Sequence, residues 1–227
     1  MYTLYIANKN YSSWSLRPWI LLKEANIAFE ERMLPFGDEP TWAPFRALSP
    51  AGKVPTLVDG GRVVWDSLAI VEYLNERHPG VWPADPDARA FARSAAAEMH
   101  SGFGALRSQC SMNVGIRVRL RETPPALLRD VARISALWTE GLSRFGGPFL
   151  AGETFTAVDA FFAPVVFRVQ TYGLELGEAA AAYAARMLER PSMRAWYTDA
   201  LVEPWRDESH DEECRAVGEW TADFRKG

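Results

Sequence analysis

Lys53-Val54-Pro55-Thr56-Leu57-Val58-Asp59-Gly60-Gly61-Arg62-Val63-Val64-Trp65-Asp66-Ser67-Leu68-Ala69-Ile70-Val71-Glu72-Tyr73-Leu74 is the stretch that decides the fold. Two short β-type runs, residues 56–58 and 62–65, flank Asp59-Gly60-Gly61, a strong hairpin signal. Residues 67–76 follow with apolar side chains at helical spacing. Upstream, residues 2–6 form another β-type run and residues 14–25 a helix with apolar Trp19, Ile20 and Leu22. Residues 29–34 read as a second strand, and residues 35–50 as a loop or short helix broken by Gly37, Asp38, Pro40 and Pro44. The order βαβ then ββα predicts a small mixed sheet. Its first two strands are parallel through a right-handed crossover, and helices cover its faces.

The pattern changes at residues 79–86, which hold Pro79, Gly80, Pro83 and Pro86. Beyond them no strand is expected. Residues 88–110, 124–145, 156–172, 178–188 and 192–201 read as helices of a bundle. The expected organisation is an α/β domain over residues 1–80, a linker over 81–90 and an all-helical domain over 91–227. The acidic run at 207–213 reads as solvated surface. A net charge of -4 without a Lys/Arg stripe speaks against a nucleic-acid partner. No apolar run approaches the ~18 residues of a membrane span. The N-terminus lacks a basic, then apolar, signal segment, so a cytoplasmic location is expected. Cys110 and Cys214 have neither redox nor metal spacing and read as free thiols.

Polar groups gather where loops leave strands and helices begin. Asn10-Tyr11-Ser12-Ser13-Trp14-Ser15-Leu16-Arg17-Pro18 precedes the first helix. Unpaired N–H groups and the partial positive charge there stabilise a nearby anion, and a serine can donate to a thiolate. The same serines can equally serve only as caps. Asp66-Ser67 opens another helix: Ser67 with the backbone N–H groups can hold a carboxylate, and Asp66 can accept from an ammonium, or the pair is a plain N-cap. Pro55 precedes a short strand, and from this motif alone its peptide bond is read as trans. Thr156-Ala157-Val158-Asp159 is a capping box with a structural task. In an α/β layer such loops meet along one edge, where ligands bind. A ligand with an ammonium, two carboxylates and a thiol suits these clusters.

Over nearly its whole length the chain resembles the cytosolic glutathione transferases. Residues 53–57 and 66–74 look like that family's glutathione-site signature, and residues 156–159 with Pro164 resemble its second-domain helix motif. The resemblance implies a thioredoxin-like domain (βαβ-ββα) followed by a helical bundle, glutathione as co-substrate, and a homodimer. It implies that Val54 pairs with the cysteinyl backbone of glutathione, with Pro55 cis. Asp66 and Ser67 would hold the γ-glutamyl end, and Lys53 a carboxylate. Ser12 is the first choice for the thiolate, since Arg17 stands five positions after it as in the S-x-x-x-x-R pattern of serine-type members. Ser13 is the second choice and Ser15 the third. Such a site lowers the pKa of a thiol from about 8.5. The implied activity is transfer of the thiolate to a small apolar electrophile, an alkyl or aryl transfer of the detoxifying kind. Asn10, Tyr11, Trp14, Phe103 and Arg107 are the expected electrophile pocket, and Met99, Leu106 and His100 are read as structural. The nearest class is zeta. Trp14 stands where that class has cysteine, and Thr171 where it carries a substrate-binding arginine, with Arg168 one turn earlier. Both departures weigh against maleylacetoacetate isomerisation. A glutathione-dependent isomerase or a non-catalytic glutathione-binding protein are the alternatives.

Overall fold

A computed structural model describes residues 1–36 and 42–226, with no account of the side chains of residues 42–44. Gly37, Asp38 and Pro40, expected as loop breakers, lie outside the described residues. In chain order the first layer comprises β1 (Tyr2–Ile6), α1 (Ser13–Glu24), β2 (Phe29–Met33), α2 (Trp42–Leu48), β3 (Thr56–Asp59), β4 (Arg62–Trp65) and α3 (Ser67–Asn75). The second comprises α4 (Pro86–Ser101), α5 (Gly104–Gln109), β5 (Ile116–Leu120), α6 (Pro125–Phe145), α7 (Ala157–Tyr172), α8 (Glu178–Leu188), α9 (Pro191–Val202), α10 (Glu208–Val217) and β6 (Gly218–Asp223).

The four-stranded sheet has the order β2-β1-β3-β4. β1 runs parallel to β2 and antiparallel to β3, and β3 pairs antiparallel with β4 with Thr56 opposite Trp65. The period of two in β1 sends Leu4 and Ile6 into the core. α1 lies between this sheet and α7, so Leu16, Ile20 and Leu22 are wholly buried, as are the polar Ser15 and Arg17. α7 is apolar nearly all round and is buried along most of its length, the position such a helix requires. Its start is fixed by the expected capping box: Asp159 accepts from the Thr156 amide at 2.9 Å and also from the Leu150 amide and Tyr183 hydroxyl.

Three expectations change. The second part of the chain holds a two-stranded antiparallel ribbon, β5 with β6. Ile116 and Val118 turn inward between the less buried Arg117 and Arg119. The helix expected over 88–110 breaks after Ser101. The Gly102 amide closes α4 on the Glu98 carbonyl at 2.8 Å, so close that a Cβ there would meet that oxygen. Phe103 then takes a left-handed conformation (φ 58°) before α5 begins. The acidic run forms α10, and Asp211 within it is buried rather than solvated.

Candidate active site between the sheet edge and the helical part

Three connections meet at one edge of the sheet: β1 to α1, α2 to β3, and β4 to α3. The first is held from behind. The Glu203 carboxylate accepts from the amides of Lys9 and Asn10, the Trp196 indole donates to the Lys9 carbonyl, and Lys9 Nζ bridges Glu31 and Asp199. Asn10, expected in the electrophile pocket, is fully buried in this anchor. Its amide donates to the Ala200 carbonyl, and its oxygen accepts from the Gly115 amide. The side chain is consumed by joining the two layers and does not line the cleft.

The cleft is two cavities, of about 390 and about 250 Å³, that share Trp14, Lys53 and Val54. The smaller is lined by Pro55, Trp65, Asp66 and Ser67. The Val54–Pro55 bond is cis, as the family resemblance implies and contrary to the reading of the motif in isolation. Asp66 has φ 72° and ψ 134°, a backbone state that costs a non-glycine residue about 1–3 kcal/mol and concentrates at functional sites. Its carboxylate caps α3 by accepting from the Leu68 amide at 2.8 Å, and its other oxygen is 3.5 Å from His100 Nε2.

Ser67 is buried and accepts from Arg17 at 3.3 Å. Arg17 is fully buried, and among the described residues no carboxylate pairs with it. Its guanidinium lies over the rings of Trp14 (4.2 Å) and Phe161 (4.8 Å), and two of its nitrogens have no partner among the described residues. Burial drives its pKa far down, Arg107 and Arg168 add to that, and Asp66 opposes. A buried cation so poorly compensated favours an anion at this end of the cleft. His100 stands edge-on to Trp14 and is also pulled below the usual histidine value, chiefly by burial, with Asp66 again opposing.

Ser12 and Ser13 line the larger cavity at the head of α1. Ser12 Oγ is 2.7 Å from Ser15 Oγ, which accepts from the Ala7 amide at 3.2 Å. In that pair Ser12 is the donor, so its proton reaches a ligand when its hydroxyl turns away from Ser15. Across from them stand Tyr11, Phe36, Phe45, Met112, Arg168 and His210. Arg168 donates to the carbonyls of Cys110 (2.7 Å) and Pro164 (3.3 Å), and burial brings its pKa down to about 10. Thr171 instead donates to the Asn113 carbonyl and does not reach the cleft.

Two more pocket expectations change. Phe103 is buried at the α4–α5 break, its side chain in the core. Arg107 is folded back onto the carbonyls of Met99 and Gly102, with its guanidinium 5.0 Å from the Trp14 ring, so it touches the cleft only through Trp14. Sequence reasoning missed Phe36, Phe45, Trp65, Met112 and His210. Trp65 ends a predicted strand next to Asp66 and could have been found from register. His210 carries only the weak signal of an acid three residues earlier. Cys110 and Cys214 are free and buried, and burial pushes the Cys110 thiol up to about 12, so neither is a nucleophile for the cleft. Among the described residues no group of acidic, histidine and cysteine side chains could hold a metal, and no helix is long and apolar enough to cross a membrane.

Residues 11–77 match the glutathione S-transferase N-terminal domain model, and residues 86–199 match the model of the C-terminal domain. The chain belongs to the glutathione S-transferase family. It is 29% identical over 182 residues to a probable maleylacetoacetate isomerase of Caenorhabditis elegans, covering 76% of this chain and 81% of that one. It is 28% identical over 181 residues to a stringent starvation protein A homolog of Pasteurella multocida, covering 76% and 80% respectively. The solved theta class glutathione S-transferase of Xanthomonas axonopodis pv. citri, which has glutathione bound, superposes with a TM-score of 0.63 at 25% identity, over 86% of this chain and 96% of that one.

Proposed function

We propose that the chain binds glutathione along this cleft, ionises its thiol beside Ser12 and transfers the thiolate to a small electrophile in the larger cavity. One observation carries the reading: the strained Asp66 and the buried Arg17 beside Ser67, two of whose nitrogens have no partner among the described residues, lie at the far end of a cleft that opens at Ser12. Asp66 accepts from the γ-glutamyl ammonium. Ser67 and the first amides of α3 hold its carboxylate, and Arg17 adds its charge from behind. Val54 pairs with the cysteinyl backbone, and Lys53 takes the remaining carboxylate. The thiolate then lies near the head of α1, stabilised by the Ser12 proton, the N-terminal amides and the second serine, Ser13. Phe36, Phe45 and Met112 hold the apolar part of the electrophile. Arg168 faces the same space, which favours an electrophile with an oxygen acceptor over a purely apolar one. The reading includes a homodimer in the cytoplasm.

Ser12→Ala is expected to lower kcat by about 10²-fold, the usual cost of one donor to a developing anion. Glutathione affinity by calorimetry should change little, and thiolate absorbance of the bound glutathione should appear only at higher pH. If wild-type protein binds no glutathione at millimolar concentration, the reading is wrong. A second reading, a glutathione-dependent isomerase, is favoured by Arg168 in the cavity and by the isomerase name of the Caenorhabditis elegans relative. Turnover of maleylacetoacetate by the wild type, at a rate above that of conjugation, would decide for it.

A further inference from the structure

The larger cavity has one wall that the family models do not account for. The match to the C-terminal domain ends at residue 199, and His210 comes from α10, beyond it. His210 lines the same cavity as Ser12 and Ser13. Its ring is stacked on Phe36, with centroids 5.6 Å apart and planes 12° apart, and lies against Tyr11 at 5.1 Å. Nδ1 is 3.0 Å from Asp207 Oδ1, and the same oxygen accepts from the His210 amide and the Ser209 hydroxyl. Burial acts to raise the Asp207 carboxyl, but the bonds from Ser209 and His210 outweigh it, so the group stays below the usual carboxylate value. An ionised Asp207 accepts from Nδ1–H, which fixes that tautomer and the orientation of the ring.

The helix that carries this pair is itself clamped. Asp211 accepts from the Tyr11 hydroxyl, the Asn113 amide and Arg225, and the Tyr11 hydroxyl accepts from the Asp207 amide. A histidine packed against two aromatic rings, held at one nitrogen and lining the reaction cavity is placed as a proton donor must be.

We propose that His210, oriented by Asp207, is the general acid of the cleft, and that its substrate is an electrophile whose attacked double bond is conjugated to a carbonyl. The proposal rests on the glutathione-transferase reading. The thiolate pair forms the carbon–sulfur bond at the β-carbon. The π pair of the double bond shifts toward the carbonyl, whose own π pair moves onto oxygen. That oxygen takes the proton from His210 Nε2, and the enol formed reverts to the ketone in solvent. His210 regains a proton from water, which balances the one the glutathione thiol lost. Arg168 supplies a second positive group in the cavity where the oxygen becomes negative. Substitution at an aryl halide expels a halide ion and needs no such donor, so the two reactions separate the thiolate end of the site from the acid end.

The test compares conjugation of an α,β-unsaturated ketone with that of a dinitrophenyl halide, in wild type, His210→Gln, His210→Ala and Asp207→Asn. For wild type, kcat/KM for the ketone should rise with pH as the thiolate forms and fall again as His210 loses its proton. The halide reaction should show only the rise. Asp207, Asp211, Tyr11 and Arg225 beside the ring, and Lys53 and Arg168 across the cavity, all bias where that fall lies. Only removal of His210 should abolish it. His210→Gln should lose about 10²-fold in kcat for the ketone and under about fivefold for the halide. Millimolar imidazole should restore part of the ketone activity to His210→Ala. Asp207→Asn, which removes the acceptor that orients the ring, should lower kcat for the ketone more than for the halide. Equal losses on both substrates, or a falling limb that persists in His210→Gln with no imidazole rescue in His210→Ala, would overturn the assignment. A wild type inactive on both substrates would instead overturn the transferase reading. If the glutamine variant does not fold, the selective loss on the ketone in Asp207→Asn carries the test, and equal losses on the two substrates there would overturn the assignment.

Discussion

Asp159→Ala is expected to destabilise the fold by about 3–5 kcal/mol, the largest single effect anticipated for this chain. The carboxylate has no exposure, and it satisfies the Thr156 amide at the head of α7, the Leu150 amide from the preceding loop and the Tyr183 hydroxyl from α8. Alanine leaves all three donors buried without acceptors and removes a cap worth about 1 kcal/mol on its own. Asparagine keeps one acceptor but turns an NH₂ toward donors on the other side, so it should recover only part of the loss. Burial pushes the Asp159 carboxyl up to about 6 despite these bonds. An acid whose folded-state value is raised binds its proton more tightly in the native state. Its contribution is thus fully present below the unfolded value and fades as pH rises through the folded one. The advantage of wild type over Asp159→Ala should therefore be larger near pH 5 than near pH 7. Urea denaturation at the two pH values measures it, and a cost below about 1 kcal/mol at both would show that the neighbouring donors find other acceptors.

The second large effect is expected at Asp211→Ala. Asp211 and Arg225 are both nearly inaccessible, at 4% and 5% side-chain exposure, so removing Asp211 leaves Arg225 with Asp223 as its one carboxylate partner among the described residues and takes the shared acceptor from the Tyr11 hydroxyl and the Asn113 amide. Burial alone works against the Arg225 charge, and Asp223 and Asp211 together reverse that and hold it above its ordinary value. Breaking a buried pair from one side costs about 3–5 kcal/mol, whereas replacing both partners by apolar groups is often nearly neutral. The double variant Asp211→Ala/Arg225→Met should thus be more stable than Asp211→Ala alone. Proteolysis should attack residues 203–226 in the single variant while the sheet of the first layer stays protected. A uniform loss of protection across the whole chain would mean that this segment does not open separately.

The first layer was legible because its signals are local. The hairpin at Asp59-Gly60-Gly61, the period of two in residues 2–6 and the helical spacing after Ser67 each follow from near neighbours, and their order fixes the topology. The cleft was partly legible for the same reason: Ser12, Ser13, Lys53, Val54, Asp66 and Ser67 sit at element starts that any such sheet brings to one edge. What failed depends on distant partners. Nothing beside Asn10 indicates that Ala200 and Glu203 will claim its side chain, and Phe103 follows its burial rather than its helical register. Asp211 reads as surface among acidic neighbours because the residues that make it a core residue lie outside that run, Arg225 14 residues on and Tyr11 200 residues earlier. β5 was the avoidable omission: Ile116-Arg117-Val118-Arg119-Leu120 alternates plainly, but its partner lies about a hundred residues later.

The bond between Tyr11 and Arg225 joins positions 214 residues apart. A chain made from its N-terminus completes the sheet and Asp66 long before Arg225 exists, so the anion-holding half of the cleft can form early. The wall with His210 can be set only when residues 203–226 return to the place where the chain began. Closing so long a loop is slow in proportion to its entropy, and the step adds little to the layers already built. Maturation of the cleft should then come in two stages: a capacity to hold an anionic ligand first, and an enclosed reaction chamber only once residues 203–226 have docked.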